Sequence, residues 1–230
     1  MATGMGTGTA MDDAALYKVS VWLSPAFPVG GYTYSHGLEW AIEAGEVRDA
    51  ESLRDWLETC LAHGAGRSDA ILLAAAWRAA CADDRAALAT VEELAAALSP
   101  SRERALETHQ QGQAFARTAA AVWPEAALDG ATLRYPVAVG WTAGRHQVPL
   151  RATLICFLQA FAANIVSAGV RAIPLGQTDG QRVTAALAEC AVAIAGEAET
   201  APLDEIGGAA LRIDLASLHH ETQYSRLFRS

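Results

Sequence analysis

Apolar residues recur at helical spacing along most of the chain, and period-2 alternation is almost absent. Leu16, Val19 and Leu23 share one face of a first helix over residues 13–23. A short helix carries Leu38 and Ile42 and ends near Gly45. Leu53, Trp56, Leu57, Cys60 and Leu61 mark the next, with Asp49 as its N-cap. Leu72, Leu73 and Trp77 resume the pattern after Gly64-Ala65-Gly66, and a further helix ends at Leu98. Ser99-Pro100 reads as an N-cap and first-position pair opening a helix to Trp123, which Pro124 stops. Asp129-Gly130 reads as a turn in a linker, and Pro136 starts another helix. The longest apolar run, Leu150 to Ile173, ends at Pro174. Thr178-x-x-Gln181 reads as a capping box for a helix reaching about Glu199, and Leu211, Leu215 and Leu218 place a last helix. The expected fold is all-α: one helical bundle of about nine or ten helices over residues 13–222. A low-complexity leader, residues 1–12, precedes it and is expected to be disordered; a tail, residues 223–230, follows.

One stretch breaks the helical rhythm, Ser24 to Trp40. Pro25 and Pro28 fix two φ angles, and Gly30-Gly31 allows a sharp reversal. Phe27, Tyr32 and Tyr34 surround that corner, and Glu39 falls in the opening turns of the helix that follows. This is a stiff aromatic elbow. It is either a structural corner alone or a surface that also presents Glu39 to a partner.

With 52% apolar and 19% charged residues, the 230-residue chain has ample material for a core. The net charge of −9 and the absence of a basic cluster argue against a nucleic-acid partner. Cys60, Cys81, Cys156 and Cys190 are widely spaced within apolar helical patterns and read as free thiols of a reducing, cytoplasmic compartment. No basic-flanked apolar run suggests a signal peptide. Ala152 to Val170 carries no charge and approaches membrane-spanning length; Gln159, Asn164 and its alanines favour the central helix of a bundle.

Candidate chemistry is sparse. The only lysine, Lys18, lies in a helix, so no phosphate loop is present. Of six histidines only His219 and His220 are adjacent, and helix neighbours point apart, so no metal site is expected. Gly140-Trp141-Thr142-Ala143-Gly144 has the outline of a nucleophile elbow, the one basis for an alternative reading as a small-molecule hydrolase. It lacks the strand–turn–helix setting, and the residues fit two close-approach glycines on a helix equally. The residues by themselves describe a binding protein rather than an enzyme.

Three segments carry a resemblance. Ser24, Pro28, Gly30-Gly31-Tyr32, Ser35 and Gly37-Leu38-Glu39 match the recurring N-terminal motif of the UreF family of urease accessory proteins. Ile173 to Gln181 and Tyr224 to Ser230 match two further family segments, so the resemblance spans nearly the whole chain. It implies an all-α homodimer without catalytic residues or a resident cofactor. It implies a scaffold formed with a UreD/UreH-type accessory protein, which recruits the nickel-carrying GTPase UreG to apo-urease and influences its nucleotide cycle. Nickel is then the cargo of the complex. By the same resemblance Tyr32, Ser35, Glu39 and Gln177, with Tyr224, Ser225, Arg226, Leu227, Phe228 and Arg229, are the partner-binding residues. The tail is expected to order only on its partner.

Overall fold

Helix caps and proline breaks set the element boundaries. The computed structural model describes residues 11–128 and 132–230; the leader over 1–10 and the Asp129-Gly130 turn lie outside the described residues. Among the described residues all regular structure is helical. The helices are α1 (Asp13–Trp22), α2 (Leu38–Glu43), α3 (Ala50–His63), α4 (Ala65–Cys81), α5 (Arg85–Ala97) and α6 (Arg102–Val122). After the linker come α7 (Tyr135–Arg145), α8 (Leu150–Ala172), α9 (Gln177–Ala186), α10 (Ala188–Ala198) and α11 (Leu211–His220). α9 and α10 are separated only by Leu187, itself in a helical conformation, so the pair counts as one rod and the described helices as ten.

Asp49 caps α3 as expected: its carboxylate accepts from Ser52 N–H at 2.9 Å, and Ser52 Oγ accepts from Asp49 N–H at 3.1 Å. Two other caps differ from expectation. α6 starts at Ser101, not Ser99, because Ser101 Oγ both accepts from Arg104 N–H and meets Ser217 Oγ at 2.7 Å, tying the helix start to α11. α9 starts behind Gly176, whose N–H donates to Asp179 at 3.2 Å, so Thr178 and Gln181 are not its capping box.

α8 is the central element and touches α1, α2, α3, α4, α7, α9 and α10. By length and composition it is the one described helix apolar enough to cross a membrane. Phe157, Leu158, Phe161 and Ile165 bury one side of it in the core, while Gln159, Ala163 and Ser167 lie on a more open side. The closest helix pair is α4 with α7. A Cβ on Gly140 would collide with the Leu73 carbonyl oxygen, and one on Gly144 would lie 2.6 Å from the Trp77 carbonyl oxygen. These are close-approach glycines. Thr142 is buried inside the same unbroken helix, so no nucleophile elbow exists there. The last helix inverts its expected face. Leu211, Leu215 and Leu218 are exposed, while Ile213, Ala216, Ser217 and His220 turn inward.

Gly140→Ala should test the α4–α7 approach. Helix propensity favours Ala by about 1 kcal/mol, whereas overpacking costs about 1–3 kcal/mol, and the obstacle here is backbone. The expected result is a net loss near 1 kcal/mol, read as a lower urea midpoint with unchanged slope. A variant as stable as the parent would contradict so close an approach.

Candidate functional site: the elbow, the tail and the buried polar cluster

The elbow is built from unusual backbone. Gly30 and Gly37 have φ of 72° and 76°, and His36, between α1 and α2, has φ of 57°. A left-handed conformation at a residue with a side chain costs about 1–2 kcal/mol. Gly37 is required twice over: a Cβ there would lie 2.7 Å from Ser217 N. Phe27 packs on Phe115 with ring centroids 5.1 Å apart, and Tyr34 is buried and donates to Gln110 Oε1 at 2.8 Å.

The tail lies against this elbow. Ser35 N–H donates to the Ser230 carbonyl at 2.8 Å, Ser35 Oγ–H donates to the same oxygen, and Arg229 N–H donates to the Thr33 carbonyl at 2.8 Å. Glu39 accepts the backbone N–H groups of Leu227 at 2.6 Å and Phe228 at 2.9 Å. His220, fully buried, sits between two carboxylates: Nε2 is 3.1 Å from Glu39 and Nδ1 is 2.6 Å from Glu103. The other Glu103 oxygen accepts from Arg226 at 2.6 Å. Arg171 donates to the Tyr32 carbonyl at 2.7 Å and lies 4.6 Å from the centroid of the Phe228 ring.

This corrects two expectations. The tail is seated within the chain itself, because Glu39, Ser35 and Thr33 satisfy its backbone and Phe228 finds a pocket. Glu39 is not a carboxylate held out for a partner; its side chain is only 13% exposed and is committed to the tail. The ten candidate residues divide accordingly. Ser35, Glu39 and Phe228 face inward, whereas Tyr32, Tyr224, Ser225, Arg226, Leu227 and Arg229 face outward, Tyr32 at 67% exposure and Leu227 at 66%. Gln177 is exposed at the start of α9 and makes no hydrogen bond to the elbow or the tail.

Beneath the elbow lies a polar cluster that sequence reasoning missed. Arg104 Nη1 lies 2.5 Å from Glu107 Oε2 and 2.9 Å from His36 Nε2, and His36 Nε2 lies 2.8 Å from Glu107 Oε1. Glu107 also accepts from Ser230 Oγ at 2.7 Å, which joins tail to cluster. Burial alone would push the Glu107 carboxyl up, but Arg104 and the hydrogen bonds from His36 and Ser230 outweigh it and hold it well below the ordinary carboxylate range. Burial, then the Arg104 charge, push the His36 imidazole down, so the ring is neutral at pH 7. Burial, only partly opposed by the Arg104 charge, pushes the Asp69 carboxyl up to about 7. Arg104 and Glu107 are an i, i+3 pair on α6; that spacing was the one available sequence signal. Among the described residues no group of three metal-ligating side chains converges.

The chain matches the UreF family model over residues 47–188. It is similar to proteins named "Urease accessory protein UreF" from three bacteria. That of Rhodopseudomonas palustris strain HaA2 is 54% identical over 231 residues, covering 98% of both chains. That of Bradyrhizobium sp. strain ORS 278 is 55% identical over 222 residues, covering 94% of this chain and 92% of the relative. That of Methylobacterium sp. strain 4-46 is 53% identical over 215 residues, covering 91% and 86%.

Two measurements check the geometry. Glu39→Ala leaves two tail amides and His220 without their acceptor. Hydrogen bonds to a charged group contribute about 1.5–3 kcal/mol each, so amide exchange at residues 227–229 should accelerate by at least about tenfold. Unchanged protection would disprove the clamp. Asp69 gives a pH signature. Its folded pKa lies above its unfolded value of about 3.9, so the folded state binds the extra proton in between. Stability should therefore fall as pH rises from about 4 to about 7, then level off. Glu107 has the opposite sign but acts only in acid, below its unfolded pKa. Chemical denaturation of the parent against Asp69→Asn across this window should show the gap between them changing with pH in that direction. A constant gap would refute the assignment.

Proposed function

The chain belongs to the UreF family of urease accessory proteins, and from that premise we propose that it acts in urease maturation as a non-catalytic, cytoplasmic scaffold. In this reading it joins a UreD/UreH-type accessory protein and recruits the GTPase UreG to apo-urease for nickel insertion, influencing the nucleotide cycle. Nickel passes through the assembly as cargo.

The observation that carries this reading is the set of side chains that elbow and tail leave exposed while the tail backbone is held against the elbow. Tyr32, Tyr224 and Leu227 present aromatic and apolar surface, and Arg229 presents an exposed guanidinium group. Aromatic and arginine side chains are the residue types that dominate protein–protein hot spots. The face is held from beneath by Glu39, Ser35 and Phe228, so it meets a partner with its backbone already ordered. The exposed leucines of α11 add an apolar stripe on the helix that leads into the tail. In the same reading the chain forms a homodimer, as the family resemblance implies.

Deletion of residues 224–230 tests the reading. Helicity by circular dichroism should persist, since no helix lies in that segment, while the urea midpoint should fall because Glu107 and Glu39 lose their tail partners, so capture is compared under conditions where the truncated chain remains folded. Co-purification with the UreD/UreH-type partner and UreG should be lost, and Tyr32→Ala should weaken GTPase capture by at least about tenfold, the effect of a hot-spot truncation above 1.4 kcal/mol. Full-yield capture by the truncated chain would overturn the assignment.

A further inference from the structure

We propose that His220 is a charged clasp: its imidazolium, held between Glu39 and Glu103, locks the tail against the elbow, and loss of one ring proton releases it. Nδ1 lies 2.6 Å from Glu103 Oε2 and Nε2 lies 3.1 Å from Glu39 Oε2, and the residue is fully buried. A neutral imidazole has one N–H donor and one bare nitrogen, whereas the imidazolium donates from both. Two carboxylate acceptors, one at each nitrogen, therefore call for the charged ring. A neutral ring would turn a lone pair toward one of the carboxylates at hydrogen-bond distance, and a buried acceptor left without its donor is costly.

Local charge agrees. Glu39 on α2 and Glu103 on α6 bring two negative charges to the ring, and Arg226 on the tail brings one positive charge, to Glu103 Oε1 at 2.6 Å. The imidazolium is the second cation that balances the set. The other polar groups nearby are engaged elsewhere. Arg102 pairs with Glu221, Arg104 turns to His36 and Glu107, Glu43 takes the Gln223 side-chain amide, and His219 stacks on Trp40. The same two carboxylates hold the tail, Glu39 through the Leu227 and Phe228 N–H groups and Glu103 through Arg226. The clasp is complete while the ring carries both protons. As pH rises one proton passes to solvent, and the carboxylate facing the bare nitrogen turns away together with its tail partner.

The test follows the ring nitrogens of His220 by nuclear magnetic resonance in the full chain, assigned through the His220 backbone, together with the backbone order parameters of residues 226–229. On the acid side of neutrality both ring nitrogens should carry a proton and the tail should be rigid, with order parameters of about 0.85. As pH is raised stepwise from about 5, loss of one ring proton should coincide with a fall of the tail values below about 0.6, with unchanged circular dichroism. Glu103→Gln is the control. Its carboxamide N–H donates to a bare Nδ1 and its oxygen still accepts from Arg226, so the tail should stay rigid through the same pH range with a neutral ring. The variant leaves the His36, Arg104 and Glu107 cluster under Ser230 as it is, so a step that persists in it would belong to that cluster and overturn the clasp. A parent ring with a single N–H on the acid side would overturn it, as would a tail that stays rigid after the ring proton is lost, or a ring that keeps both protons until the chain unfolds.

Discussion

The buried pair of Arg104 and Glu107 is the constraint on which this structure turns. Both groups sit on one face of α6, taken out of water, and removing either partner of such a pair typically costs about 3–5 kcal/mol. A bare pair is rarely enough to offset its own desolvation, so further hydrogen bonds are needed to complete the shell. Those come from His36 on the elbow and Ser230 on the tail. The left-handed backbone at His36 and Gly37 is the geometry that carries the imidazole down to α6 while letting α2 start immediately afterwards. Strain at the elbow and completion of the ion pair are therefore two sides of one arrangement.

The tail inherits its place from that arrangement. Fixing seven residues costs on the order of 7–14 kcal/mol of backbone entropy, more than the burial of Phe228 alone returns. The difference is met by hydrogen bonds made inside the chain: Ser35 and Thr33 to Ser230 and Arg229, Glu39 to Leu227 and Phe228, and Glu103 to Arg226. His220 keeps the two carboxylates apart by occupying the space between them, each ring nitrogen facing one of them. The inward half of the segment is thus saturated. The side chains left over, Tyr224, Leu227 and Arg229, are those with no internal work.

Local signals were legible in the sequence and long-range ones were not. The helices announced themselves through 3.6-residue periodicity, and Asp49, Pro124 and Pro174 marked boundaries that the structure keeps. The elbow was legible because proline and glycine act through their own backbone. The misplaced caps at Ser99 and Thr178 show the limit: Ser101 prevails because it also bonds Ser217, more than a hundred residues away. Glu39 looked like a free helix-start carboxylate because its acceptor role depends on residues 227 and 228, and His36, Glu103 and His220 were passed over for the same reason. The leucines of α11 misled because periodicity reveals that a helix has an apolar stripe but not that the stripe faces the core.

That outward stripe bears on what kind of protein this is. An enzyme tends to leave strained backbone and perturbed titratable groups facing a substrate cleft. Here the strained His36 and the depressed Glu107 face each other and the tail, and their polar atoms are largely spent on holding one segment of chain in place. The exposed side chains of elbow and tail include Tyr32, Tyr224 and Arg229, of the residue types enriched at protein–protein hot spots. Burying charge is one way to obtain rigidity: a half-made version of the cluster is far less stable than the complete one. The tail backbone is held by Glu39 directly and by the Arg104–Glu107 pair through Ser230, and its outward side chains project from that seat.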